Sequence, residues 1–337
     1  MAEFWMHTFS VPGVAAEAAK MAEEDGWDGV IFNDTQNISG DPYTAMAVAA
    51  SMTSTLKLAT GVTNPVTRHP SVTASAIAGM QVESSGRATL GIGRGDSALG
   101  HIGRQPLPVA EFERYLDRVQ GYLRGEPVDL DGFESQNSWI AGTGQPKVPV
   151  MVAAAGPRVI DMAARKGDEV LLALGADPKR VAWGVETARS ARRAAGQDPD
   201  TFVVAAMVNL VVHPEVAIAR DLARGGMGAV ARFASMPGGS RVLMDDRAQE
   251  TVERLGRAYD VRQHNRKDAG HARGIDDEFV DRFGVVGPAA HCRRRVADLL
   301  ECGLDRLVIY GAAMDSGRDE YVAAARRCAA EVLPEFR

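Results

Sequence analysis

The chain has 337 residues, long enough for one barrel of about 250 residues with insertions or for two ordinary domains. Hydrophobic residues make up 45% and charged residues 24%, the balance of a chain with a large apolar core and a solvated surface, which excludes disorder as the default state. The net charge of −6 with no dense basic stripe argues against nucleic acid, and no run approaches the roughly 20 apolar residues of a membrane span.

Short apolar runs alternate with helical patterns from the start, the rhythm of a parallel sheet with helical crossovers. Phe4 to Phe9 reads as a strand, Ala15, Ala18, Ala19 and Ala22 as one helix face, and Gly26 as the stop before a strand at Gly29 to Phe32. A helix after Pro42 leads to the strand Leu58 to Val62, and a helix from Pro70 leads to Ala88 to Ile92. Glycine and proline signals with little periodicity mark an excursion near 125–149, expected to hold a small hairpin. The rhythm resumes with Val150 to Ala154, a helix from Pro157, Glu169 to Leu174, a helix from Pro178, and Phe202 to Val212.

Residues 214–281 read as a long insertion, helical in parts but holding the glycines Gly225, Gly226 and Gly228 and the polar run Arg262 to Arg273. Gly287-Pro288 starts a further helix, Leu307 to Tyr310 is the eighth strand, and a closing helix carries Val322, Ala325, Ala329 and Val332. Eight strand-helix pairs favour a (βα)8 barrel, an α/β TIM-type fold with insertions, over an open sheet; residues 1–337 are expected to form a single domain. Cys292, Cys302 and Cys328 are odd in number and lack metal-type spacing, so they read as reduced packing residues in a cytoplasmic protein. No metal set, nucleophile elbow or P-loop is present.

In such a barrel the site lies beyond the C-terminal ends of the strands. That rule selects His7 and Phe9, Asn33-Asp34-Thr35, Gly61 to Asn64, Gly93 to Asp96, Ala155 to Arg158, and Gly175-Ala176. Gly91 to Asp96 lacks the full dinucleotide spacing and opens no helix at once, which argues against a Rossmann loop. Gly156-Pro157-Arg158 sits between strand and helix, where free N–H groups offer a phosphate site, a plain structural turn being the other reading.

The segment Thr60-Gly61-Val62-Thr63-Asn64-Pro65-Val66-Thr67-Arg68-His69-Pro70, with GIGRGD and AAAGPRVIDMAARKGDEVLLALGA, resembles the F420-dependent branch of the bacterial-luciferase-like superfamily, especially its methylene-tetrahydromethanopterin reductases. The resemblance covers nearly the whole chain. It implies a non-proline cis peptide at Gly61-Val62 forming a bulge behind the central ring of a deazaflavin. It further implies a cofactor pocket of Asp34, Gly61, Val62, Asn64, Arg94 and Asp96, with the cofactor phosphate near Ala155, Gly156, Pro157, Arg158, Gly175 and Ala176. Asp96 would accept a hydrogen bond or shuttle a proton, against the plainer reading of a turn aspartate. The reductases carry a glutamate near His7, so His7 is either the proton-transfer residue or a packing histidine. The branch's alcohol and sugar-phosphate dehydrogenases have a histidine directly after the strand-two aspartate; here Thr35 follows Asp34, which disfavours that substrate class.

The resemblance thus implies an F420-dependent oxidoreductase that exchanges a hydride with a small organic molecule, a tetrahydropterin-like one among the candidates, and forms a homodimer. An FMN-dependent monooxygenase served by a separate flavin reductase keeps the same motifs, and a non-catalytic flavin-binding relative is the third alternative.

Overall fold

Proline with a polar residue before it starts three of the crossover helices. In the computed structural model, which describes residues 1–337, Asp41 accepts from the N–H groups of Tyr43 and Thr44 at 2.9 and 3.1 Å and so caps Pro42–Met52. His69 caps Pro70–Glu83 through Ser71 N–H, and Asp177 caps Pro178–Ala194 through Lys179 N–H. The side-chain acceptor satisfies donors the first turn leaves open, and proline contributes a φ already suited to the helix.

The strands are β1 (Glu3–Thr8), β2 (Gly29–Phe32), β3 (Lys57–Thr60), β4 (Ala88–Ile92), β5 (Val128–Leu130), β6 (Phe133–Ser135), β7 (Val150–Ala154), β8 (Glu169–Leu172), β9 (Val203–Val212), β10 (Val285–Gly287) and β11 (Arg306–Tyr310). Their order is β10-β9-β11-β1-β2-β3-β4-β7-β8, with β8 also paired to β9. That pairing closes eight strands, β1 to β4, β7 to β9 and β11, into the (βα)8 barrel, because both faces of each strand are apolar and must be covered. β5 and β6 form a separate antiparallel hairpin.

The chain divides into two compact units. One comprises residues 7–153 and 162–169; its strands bury Val30, Ile31, Phe32, Leu58 and Leu90 completely. The other comprises residues 1–6, 154–161 and 170–337. In it, Glu3 pairs with Arg306 across β1 and β11; the Arg306 Nε donates to Glu3 at 2.9 Å while its guanidinium lies 4.0 Å from the Trp5 ring centroid. Trp5 is therefore core.

Several boundaries differ from the sequence reading. β10 was not foreseen: it has three residues and exists because β9 outruns its partner, pairing with β11 up to Asn209 and with β10 from Leu210 to Val212. Gly225, Gly226 and Gly228, set apart from the helical parts of the insertion in sequence, lie inside one long helix, Val216–Ser235. Helix interiors disfavour glycine, but here a Cβ on Gly226 would stand 1.8 Å from the Asn209 amide nitrogen. The polar run after Arg262 contains the short helix Gly270–Arg273, and its cations meet local acids, Arg262 with Asp260, Arg266 with Asp268 and Lys267 with Asp221. All three cysteines are free thiols. No helix is long and apolar enough to cross a membrane.

Candidate active site

In the unit of residues 7–153, the segment after β2 is tied down on both sides. Asn33 Oδ1 accepts from Ser10 N–H at 2.8 Å and from the Ser39 hydroxyl at 3.0 Å, while the Ser10 hydroxyl donates to the Asn33 carbonyl at 2.6 Å. Asp34 follows, with only 5% of its surface exposed. Its Oδ2 accepts from the Thr63 hydroxyl at 2.6 Å and from Arg68 Nη1 at 2.5 Å; Oδ1 accepts no hydrogen bond.

Arg68 is the hub of this cluster. Its second terminal nitrogen meets Asp41, its guanidinium carbon lies 5.0 Å from the Tyr43 ring centroid, and its carbonyl accepts from the Tyr115 hydroxyl at 3.0 Å. Burial alone would lower the Arg68 pKa, but the carboxylates of Asp34 and Asp41 raise it above its ordinary value, so the guanidinium stays charged. Burial pushes the Tyr43 phenol well above its usual range, so it stays protonated.

The Gly61-Val62 peptide is cis. Around it the backbone is held by β3–β4 contacts: Thr63 N–H donates to the Gly91 carbonyl and Gly93 N–H to the Thr63 carbonyl, both at 2.9 Å. A Cβ at Gly91 would lie 2.0 Å from the Thr60 carbonyl oxygen, so only glycine admits this approach. Asn64 uses its Oδ1 to accept from the N–H groups of Val66 and Thr67, both at 3.1 Å, which turns the chain toward Arg68. Its Nδ2 is buried and has no partner.

Beyond β4, Arg94 Nε donates to the Leu107 carbonyl at 2.6 Å, so this side chain closes its own loop. The Asp96 carbonyl accepts from the N–H groups of Leu99 and Gly100, opening the short helix Ser97–Gly100 directly after GIGRGD, where the sequence suggested none. The hydroxyls of Thr35 and Ser97 are 3.2 Å apart, and Gln36 donates to the Ala98 carbonyl at 2.9 Å. His7 is 5% exposed and meets the Phe9 ring edge-on at 5.2 Å. The structure thus gathers Asp34 with the segment Gly61 to Asn64 that follows β3, through Thr63, and adds Arg68, Tyr43 and Tyr115.

In the other unit, Gly156 precedes the helix Pro157–Lys166 and its carbonyl accepts from Val159 and Ile160 N–H. Pro157 and Arg158 are exposed. The Ala155 carbonyl accepts from Ser240 N–H at 3.0 Å, and a Cβ on Gly156 would overlap the Gly238 carbonyl oxygen at 1.7 Å. Arg180, 1% exposed, holds this overlying segment: Nη2 donates to the Ser240 carbonyl at 2.9 Å and Nη1 to that of Val242 at 2.5 Å. Burial brings the Arg180 pKa down to about 10, with Asp177 opposing it. Gly175 takes φ +75, Ala176 N–H donates to the Phe283 carbonyl at 2.8 Å, and the Ala176 carbonyl accepts from Arg295 at 2.8 Å.

A closed parallel barrel whose strand ends carry glycine-lined backbone, a buried acceptor and a buried donor is the class of frame that holds a flat heterocycle. The model of the luciferase-like monooxygenase family matches residues 5–306, and the chain belongs to that family, in its F420-dependent oxidoreductase branch. It is 30% identical over 304 residues to a 5,10-methylenetetrahydromethanopterin reductase of Methanolobus tindarius, covering 87% of this chain and 88% of that one. The solved coenzyme F420-dependent tetrahydromethanopterin reductase from Methanopyrus kandleri superposes with a TM-score of 0.78 at 21% identity, over 100% of this chain and 99% of that one. A monooxygenase from Streptomyces bottropensis shares the fold with a TM-score of 0.69 at 20% identity, over 99% and 100% of the two chains.

Proposed function

We propose that this chain is an F420-dependent oxidoreductase that moves a hydride between the deazaflavin and a small organic molecule, with a tetrahydropterin-type carrier as the first substrate to try. The observation that carries the reading lies at the ends of β2 and β3: Asn64 Nδ2, a buried donor without a protein partner, and Oδ1 of Asp34, an acceptor on a buried residue that receives no hydrogen bond from the protein. Buried polar groups are seldom left unpaired, and a ring bearing both donors and acceptors answers both. The residues present therefore fit the cofactor. When bound, F420 supplies the hydride-carrying carbon. The chain's part is to hold the ring against Gly61-Val62, to orient it through Asp34 and Asn64, and to place His7 or Asp96 for proton movement. The turn Ala155 to Arg158, with Gly175-Ala176, is the proposed phosphate contact, and Arg94 acts by shaping the loop that carries Asp96.

Thr35 supports the choice of substrate class. Its hydroxyl is engaged with Ser97, so the place where the alcohol and sugar-phosphate dehydrogenases of the branch carry a histidine is used here to join two loops. We further propose that residues 1–337 act as one catalytic domain and that two copies associate. The helices Pro42–Met52 and Pro70–Glu83 carry only one charged residue, Glu83, and leave Val48, Met52, Val72 and Val82 exposed.

The test is a parallel titration with F420 and with FMN, followed by ligand fluorescence. Tight binding of F420 in preference to FMN supports the reading. Preference for FMN would instead favour the monooxygenase, served by a flavin reductase, for which the shared fold with the Streptomyces bottropensis enzyme speaks. Binding of neither sinks the cofactor assignment.

A further inference from the structure

In sequence Arg68 has no role beyond its place in a motif, yet the structure builds the Asp34 surroundings around it. One guanidinium reaches two carboxylates that no other side chain joins: Nη1 meets Asp34 on the segment after β2, and Nη2 meets Asp41, the cap of Pro42–Met52. Both ends of that bridge are fixed. Tyr43 lies against the face of the guanidinium, and the Arg68 backbone is held by Tyr115, whose hydroxyl is also 2.7 Å from that of Thr73. Only a planar fork spans two carboxylates in this way; an ammonium offers one compact charge.

The consequence falls on Asp34. With Oδ2 taken by Thr63 and Arg68, the carboxylate cannot rotate without losing both bonds, and its other oxygen is left as the sole acceptor it presents. We propose that Arg68 is a positioning residue: it fixes Asp34 as a one-sided acceptor, so that the group received at Oδ1 is an N–H or O–H donor of the cofactor ring rather than a carbonyl. This rests on the F420 reading above. It deepens that reading by assigning the polarity of one ring contact and by naming the residue that enforces it.

The test is a double-mutant cycle on F420 affinity, using ligand fluorescence on wild type, Arg68→Met, Asp34→Asn and the double variant, with thermal unfolding of each as a companion measurement. If Arg68 acts through Asp34, each single change weakens F420 binding by about tenfold or more, as loss of a charged hydrogen bond does. The double variant is then no weaker than the worse single, within about threefold. Arg68→Lys, which keeps one contact with Asp34, recovers part of the loss. Should Arg68→Met fail to fold, the same cycle is run with Arg68→Lys.

Losses that multiply in the double variant, or an Arg68→Met protein that binds F420 like wild type, overturn the assignment. So does a loss of affinity in Arg68→Met that Lys does not relieve although the variants unfold at the same temperature. A wild-type chain that binds no F420 fails at an earlier point: it overturns the cofactor reading, and this assignment with it.

Discussion

Replacing Gly156 by alanine puts a methyl group 1.7 Å from the Gly238 carbonyl oxygen, where real Cβ atoms essentially never come closer than 3.0 Å. The obstacle is backbone, so residues 237–240 have to retreat by about 1 Å or more in an interior that is close-packed. Two bonds resist that movement, Ser240 N–H to the Ala155 carbonyl at 3.0 Å and Arg180 to the Ser240 carbonyl at 2.9 Å. Breaking them would cost about 0.5–1.5 and about 1.5–3 kcal/mol, the second more because the donor is a buried charge. Keeping them leaves overpacking strain of about 1–3 kcal/mol. Because the shift that relieves the overlap is the one that breaks the bonds, the terms do not add, and roughly 2–4 kcal/mol is expected. At about 2–4 °C per kcal/mol, the unfolding midpoint should fall by roughly 4–16 °C.

Thermal unfolding followed by circular dichroism measures this, with Gly79→Ala as the control. Gly79 lies in the helix Pro70–Glu83 with nothing within 4 Å of an added Cβ, so alanine there should be neutral or stabilising by up to about 1 kcal/mol. A Gly156→Ala protein that unfolds within a degree of wild type would refute the reasoning. If the midpoint falls but F420 affinity does not, the packing argument stands and the phosphate role of the turn is lost.

Glu23 offers a pH test: burial pushes its carboxyl up, but the N–H groups of Thr55, Leu56 and Ser54 more than offset this and bring it to about 2. A folded value below the unfolded one gives stability that is present above about pH 4.5 and is lost as pH falls toward 2, about 1–2 kcal/mol after allowance for solvent screening. The gap in denaturation midpoint between wild type and Glu23→Gln should therefore close between pH 5 and pH 2.5, and a gap that stays constant contradicts it. Val48→Glu, on the uncharged helix Pro42–Met52, should convert a dimer to monomer in light scattering; a wild type that is already monomeric ends the dimer proposal. His7→Gln should slow oxidation of reduced F420 by the substrate named for the Methanolobus tindarius relative by about 10²–10⁴-fold, while F420 affinity changes little. Unaltered turnover would leave His7 as a packing partner of Phe9.

The barrel was legible because its strands are covered on both faces and so read as uninterrupted apolar runs, while Asp41-Pro42, His69-Pro70 and Asp177-Pro178 announce the helices between them. What failed to show was whatever depends on a distant partner. Gly225 and Gly226 look like helix breakers until Ala313 and the Asn265 carbonyl are seen 2.8 Å from where a Cβ on Gly225 would stand, and the Asn209 amide 1.8 Å from one on Gly226. β10 is legible only as the answer to an overlong β9.

The candidate site divides along the same line. Asp34, Gly61, Val62 and Asn64 stand at strand ends, where the barrel rule and a family motif both point. Arg68 stands in that motif too, yet its two carboxylate partners lie 34 and 27 residues before it, and no local pattern carries such pairings. Arg180 is the stronger case. A guanidinium buried to 1% exposure is unexpected in a helix that sequence reads as a surface crossover, and its role appears only when the carbonyls of Leu174, Ser240 and Val242 are in view. Both arginines satisfy fixed acceptors with a fixed fork, one orienting a carboxylate and the other pinning a backbone segment. A lysine at either position would keep the charge and lose the geometry, so Arg180→Lys should lower the unfolding midpoint, as Arg68→Lys should lower F420 affinity, with no change in net charge.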